Sequence, residues 1–171
     1  MNDLEKLKKT LFRYLKENEI QFSRIFDDSM QDRAVAKFSF DLGSPACILC
    51  GPFRDGAKEL TSIAHEAGHV MIHKKMTREE LRNYVCTMFA ANKLGVGKIA
   101  PLAQTFILEI EAKASAKGLD ILQKIGIEDG DLRIVKEMMT RWYATYEKQC
   151  QDDVVKKARE KIIQNKNPAF V

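Results

Sequence analysis

Leu4, Leu7, Leu11 and Leu15 recur at helical spacing with lysine and glutamate between them. The pattern predicts an amphipathic helix over Asp3–Glu17, with Asn18 as its end. A looser stretch, rich in Asp and Ser, runs on to Asp32. From 34 to 40 the period shortens to two: Val35, Lys37 and Ser39 alternate with Ala36, Phe38 and Phe40. That is the signature of a half-buried strand. Residues 41–45, Asp-Leu-Gly-Ser-Pro, carry turn chemistry. The apolar run 46–50 reads as a second strand, paired with or next to the first, and Gly51-Pro52 ends it.

Beyond Asp55 every segment reads as helix. One helix is predicted over 57–75. Thr77 with Glu80 three residues later forms a capping-box pattern, opening a helix that carries Leu81, Tyr84, Val85, Met88 and Phe89. Gly95-Val96-Gly97 breaks the chain, Pro101 suits the first turn of the next helix, and Gly118 is its expected stop. After a second break at 126–130, a long helical region is predicted over 131–164. Its stripe is Leu132, Val135, Met139, Trp142, Tyr146 and Cys150, and 165–171 reads as a tail. These elements predict a single α+β domain, mostly helical, with a small two- or three-stranded sheet ahead of the helix at 57–75.

Composition narrows the class. The 171 residues, 45% of them hydrophobic, suffice for one domain with a real core and exclude a disordered chain. No window of eighteen apolar residues exists, so no membrane span is expected, and residues 1–9 lack the apolar stretch of a secretory signal. A cytoplasmic location follows as the expectation. The net charge of +4 is spread through interleaved acids and bases, which makes no case for a nucleic-acid groove. Cys47 and Cys50 form a C-x-x-C without a second pair, and three residues apart on a strand they face opposite ways. They are expected to pack, not to bind zinc.

The chemistry concentrates in one place. All three histidines, His65, His69 and His73, fall within nine residues, in the run His65-Glu66-Ala67-Gly68-His69. On a helix, His65 and His69 project from one face and can share an ion. Glu66 then stands at the rim as a general base for a metal-bound water. Zinc is the expected metal. Ala67 and Gly68 are small, as a closely approaching second helix requires.

A catalytic zinc site needs a third protein ligand and an open position. Position 75, where a metzincin carries its third histidine, is Lys75. His73 lies a further turn along and is read as a supporting or packing residue. That leaves a carboxylate from the segment 108–114. Glu109 shares a face with Lys113, Lys117 and Asp120, the solvent side. Glu111 lines up with Leu108, Ala112, Ser115 and Leu119, a mostly apolar stripe where a carboxylate needs a positive partner. Glu111 is the favoured ligand and Glu109 the alternative.

The run 65–73, preceded by Thr61-Ser62-Ile63-Ala64, and Glu111-Ala112 on a later helix resemble the ImmA/IrrE-type metallopeptidases. The resemblance extends over about 34–118. After Glu111-Ala112, residues 113–121 do not follow the family's continuation. The resemblance implies a zincin-like, gluzincin-type domain and a zinc-dependent endopeptidase acting on a protein or peptide, often a repressor-like one. It also implies that the Glu-Ala pair supplies the third ligand. In this reading Glu66 is catalytic, His65, His69 and Glu111 hold Zn2+, and Tyr84, Tyr143 or Tyr146 stabilises the oxyanion. Trp142 reads as core. The edge of the strands over 34–50 could align an extended substrate. The competing expectation is a metal-containing binding or regulatory module without peptidase activity.

Overall fold

The computed structural model describes residues 3–37 and 46–150. Helix α1 (Asp3–Glu17) buries Leu11 and Leu15 of its leucine stripe. Asp3 and Glu5 sit in its first turn and Lys16 in its last, each complementing the helix dipole.

Three short strands follow: β1 (Gln21–Arg24), β2 (Ala34–Lys37) and β3 (Cys47–Cys50). They form one sheet in the order β1-β3-β2, with β3 parallel to β1 and antiparallel to β2. The stretch read as loose thus contains a strand. Four residues, QFSR, are too few and too exposed to show a period in sequence, and β1 forms because β3 offers it a partner. On β3, Ile48 and Cys50 face the core, and Cys47 lies on the other face, as two-residue periodicity demands. Residues 38–45, which hold the rest of the expected strand and its turn, lie outside the described residues, as do 151–171, the expected continuation of the last helix and the tail.

Helix α2 (Gly56–His73) starts at Asp55, whose side chain accepts from the N–H groups of Ala57 and Lys58. Helix α3 (Arg78–Leu94) starts with both halves of the Thr77–Glu80 capping box formed. Helix α4 (Pro101–Lys124) has proline in its first turn, and α5 (Asp129–Gln149) completes the order. No helix among the described residues is long and apolar enough to cross a membrane.

Gly118 does not stop α4; it lies inside it. Its role is close packing. A Cβ at Gly118 would sit 2.9 Å from the carbonyl oxygen of Ala64, and one at Gly68 would overlap the carbonyl oxygen of Ala114. The two glycines let α2 and α4 cross backbone to backbone. Around this crossing the main core gathers Leu11, Leu15, Ile48, Leu60, Ile63, Ile121, Leu122 and Met139. A smaller cluster of Ala91, Val96, Ile99 and Ile107 lies under α3 and the start of α4, with Tyr146 of α5 and Cys150 just beyond that helix packed against it. The apolar stripe of α5 therefore serves two clusters.

Buried Glu59 on α2 ties the N-terminal elements together. Lys8 Nζ of α1 lies 2.7 Å from its Oε2, and Arg24 of β1 pairs with its Oε1.

Candidate metal centre

The α2–α4 crossing decides the site. It sets the His65–His69 face of α2 against Glu111 of α4. His65 Nε2 and His69 Nε2 are 3.2 Å apart. Glu111 Oε2 is 3.2 Å from His65 Nε2 and 3.6 Å from His69 Nε2. A tetrahedral ion with bonds of about 2.0–2.1 Å holds its donors about 3.3–3.4 Å apart. The three edges observed bracket that figure. This group, with its two imidazole nitrogens and one carboxylate oxygen, could hold a metal ion. His69 and Glu111 are buried, while 12% of the His65 side chain remains exposed towards a cavity.

Glu109 lies on the outer side of α4, paired with Lys113 at 3.3 Å, and does not reach the histidines. The face assignment needs one correction. Ala112 is exposed, and the buried stripe runs through Ile107, Leu108, Glu111, Ala114 and Gly118. Glu111 and Ala112 are 100° apart on a helix, so a carboxylate reaching inward carries its neighbour outward.

Electrostatics follow from this packing. Burial raises the Glu111 pKa, but hydrogen bonding and the charges of His65 and His69 outweigh it and hold the carboxyl down at about 2. Burial depresses His69, yet its hydrogen bond to Glu111 and the nearby Glu66 and Glu111 charges leave it raised. Burial raises Glu66, opposed by the two histidines and by a hydrogen bond from the Ala36 N–H. His73 is buried behind the group. Its ring stacks on His69 with centroids 6.0 Å apart and lies 4.2 Å from the Tyr84 ring. Burial, then the His69 charge, push it down to about 3, so the ring is neutral. It supports His69 and is not one of the three donors.

Three partners of the group escape a linear reading. The Ser115 hydroxyl is 3.2 Å from His65 Nδ1. One turn after Glu111 on the same face, it carries a faint positional signal. The Ala36 N–H of β2 donates to Glu66 Oε2 at 2.7 Å. A backbone group has no residue-type signal at all. Trp142 is not simply core, because its ring meets the edge of His65 with centroids 6.1 Å apart. Its place on the α5 stripe hid that role.

The group opens into a cavity of about 1040 Å³, large for a ligand site. β2, α3 and α5 line it, with Tyr84, Tyr143 and Tyr146 in the wall. Burial, followed by the Glu111 and Glu66 charges, pushes the Tyr84 and Tyr146 phenols up, so both stay protonated donors. The apolar positions of α3 do not all enter the core as their spacing implies. Tyr84 and Ala91 are buried and Met88 packs partly against the smaller cluster, while Val85 and the 64% exposed Phe89 line the cavity.

No family model, no curated protein and no solved structure matches this chain.

Proposed function

We propose that the chain is a zinc-dependent metallopeptidase. The observation that carries this reading is the three-donor group with a carboxylate beside it. His65, His69 and Glu111 stand at zinc-ligand spacing, Glu66 is held next to them without joining them, and the cavity leads to the open side. Two histidines and one carboxylate with a position left open is the ligand set of catalytic zinc, whereas structural zinc favours closed, cysteine-rich coordination.

When bound, zinc supplies a Lewis acid that makes a water acidic near neutral pH and polarises a carbonyl. The rest of the chemistry belongs to this chain's side chains. Ala36 engages Oε2 of Glu66 and orients the carboxylate, leaving Oε1 to take a proton from the attacking water. The same carboxyl then delivers that proton to the departing amine. Tyr84 and Tyr146, both protonated and in the cavity wall, are the donors available to a developing oxyanion. A repressor-like substrate rests on the family resemblance alone.

Glu66→Gln should keep one zinc per chain and lose peptide hydrolysis, whereas His69→Ala should lose the zinc. Metal analysis of the purified variants and a digest of a mixed peptide library read both. Zinc retained with full hydrolysis in Glu66→Gln would overturn the mechanism. Zinc bound by wild type with no cleavage of any peptide would favour a binding module.

A further inference from the structure

The cavity beside the metal group is chemically divided. Along β2 and the first turn of α2 its lining carries Arg33, Lys37 and Lys58 against a single acid, Asp32. None of the three cations has an ion-pair partner among the described residues. Arg33 and Lys37 are exposed, so their charge faces incoming solute. The α3 side is mainly apolar, with Asn92 the one amide in its lining. Val85, Met88 and Phe89 line the cavity there, Trp142 of α5 joins the lining, and Phe89 is left 64% exposed with Lys93 Nζ 5.9 Å from its ring centroid. His65, Glu66, His69 and Glu111 line the same cavity.

The strand side also has a direction. In the β2–β3 register, Gly51 N–H bonds to Arg33 C=O, and Ala36 donates away from β3, to Glu66. Among the described residues β2 is a sheet edge whose outward side, at Ala34 and Ala36, turns towards the metal group, with the Ala36 N–H already given to Glu66. An extended peptide is the occupant this suits, since an edge strand offers main-chain pairing and alternating side-chain positions.

We infer that the site selects an extended peptide with an acidic side chain lying along β2 and a large apolar or aromatic side chain seated against Val85, Met88, Phe89 and Trp142. The inference rests on the peptidase reading for its cleavage readout, but not for its binding readout. Arg33, Lys37 and Lys58 attract the acid by charge, which salt screens over about 8 Å at physiological ionic strength. Val85, Met88 and Phe89 hold the apolar group by burial, which salt does not weaken. The two contributions are thus separable in one peptide.

Four quenched fluorescent peptides test this: acidic or lysine at one end, phenylalanine or alanine at the other. Wild type should cleave the acidic–phenylalanine peptide at least about tenfold faster, in kcat/KM, than either singly changed peptide. That factor corresponds to about 1.4 kcal/mol. Lys37→Glu with Lys58→Glu should erase or invert the acid preference and leave the phenylalanine preference. Phe89→Ala should do the opposite. Rising salt should erode only the acid preference. Cleavage with no preference, or preferences unmoved by these surface substitutions, would overturn the inference while leaving the peptidase reading intact. If no peptide is cleaved, zinc-loaded Glu66→Gln is titrated with the same four peptides. Binding ranked in the same order, and lost in the same variants, upholds the cleft assignment. Absence of any ranked binding overturns it.

Discussion

Ser115 shows how one side chain can govern the group without belonging to it. Its hydroxyl lies 3.2 Å from His65 Nδ1, the ring nitrogen that does not face Glu111. Such a partner fixes the ring's tautomer and orientation, and losing it typically costs 10–100-fold in metal affinity. Ser115→Ala should weaken zinc by about that factor in a chelator competition, with little change in folding stability. Glu111 makes a second prediction, for the metal-free protein. Its carboxyl sits at about 2 when folded, against 4.5 ordinarily. A depressed folded pKa stabilises above the unfolded value and is lost as pH falls through the folded one. With chelator present, any stability advantage of wild type over Glu111→Gln should be full just above about 4.5, while the histidines still carry charge, and should shrink steadily towards about 2. Denaturant melts at stepped pH give the comparison; an advantage that grows with acidity would show the sign to be wrong.

At the scale of elements, the site depends on how closely α2 and α4 approach. Gly68 and Gly118 permit backbone contact, and a Cβ at either position meets the facing helix's backbone closely enough that something must shift. Gly68→Ala overlaps the Ala114 carbonyl and should cost roughly 1–3 kcal/mol as overpacking. It should cost more than Gly118→Ala, whose added carbon meets Ala64 less severely. Because the same crossing carries Glu111 to the histidines, zinc affinity should fall together with the denaturation midpoint. A Gly68→Ala protein with lowered stability but unchanged zinc affinity would uncouple the two.

For the whole molecule, the Glu59 cluster is the joint between α1, β1 and α2. Lys8 and Arg24 both converge on one buried carboxylate. Removing one partner of a buried ion group leaves the others uncompensated, at about 3–5 kcal/mol. Arg24 keeps 36% of its side chain exposed, so Glu59→Gln should fall at the lower end, about 3 kcal/mol. Urea melts of metal-free protein measure it, and a loss below about 1 kcal/mol would mean that water already screens the cluster. Zinc content of the folded fraction should be preserved, since the cluster does not touch the donors.

Local physics was legible in the sequence. The leucine stripe of α1, the Thr77–Glu80 box, the faces of β3 and the shared face of His65 and His69 all follow from a period of 3.6 or 2 and from capping chemistry. The inward choice of Glu111 over Glu109 was legible too, because a helix cannot turn both inward. Other features needed the tertiary structure, since they depend on partners distant in sequence. β1 exists because β3 pairs with it. Gly118 packs and does not terminate, because α2 lies across it. Ala36 holds Glu66 through a backbone N–H that every residue type except proline carries. Composition and periodicity fix which face of an element is chemically special; only the folded chain decides what that face meets.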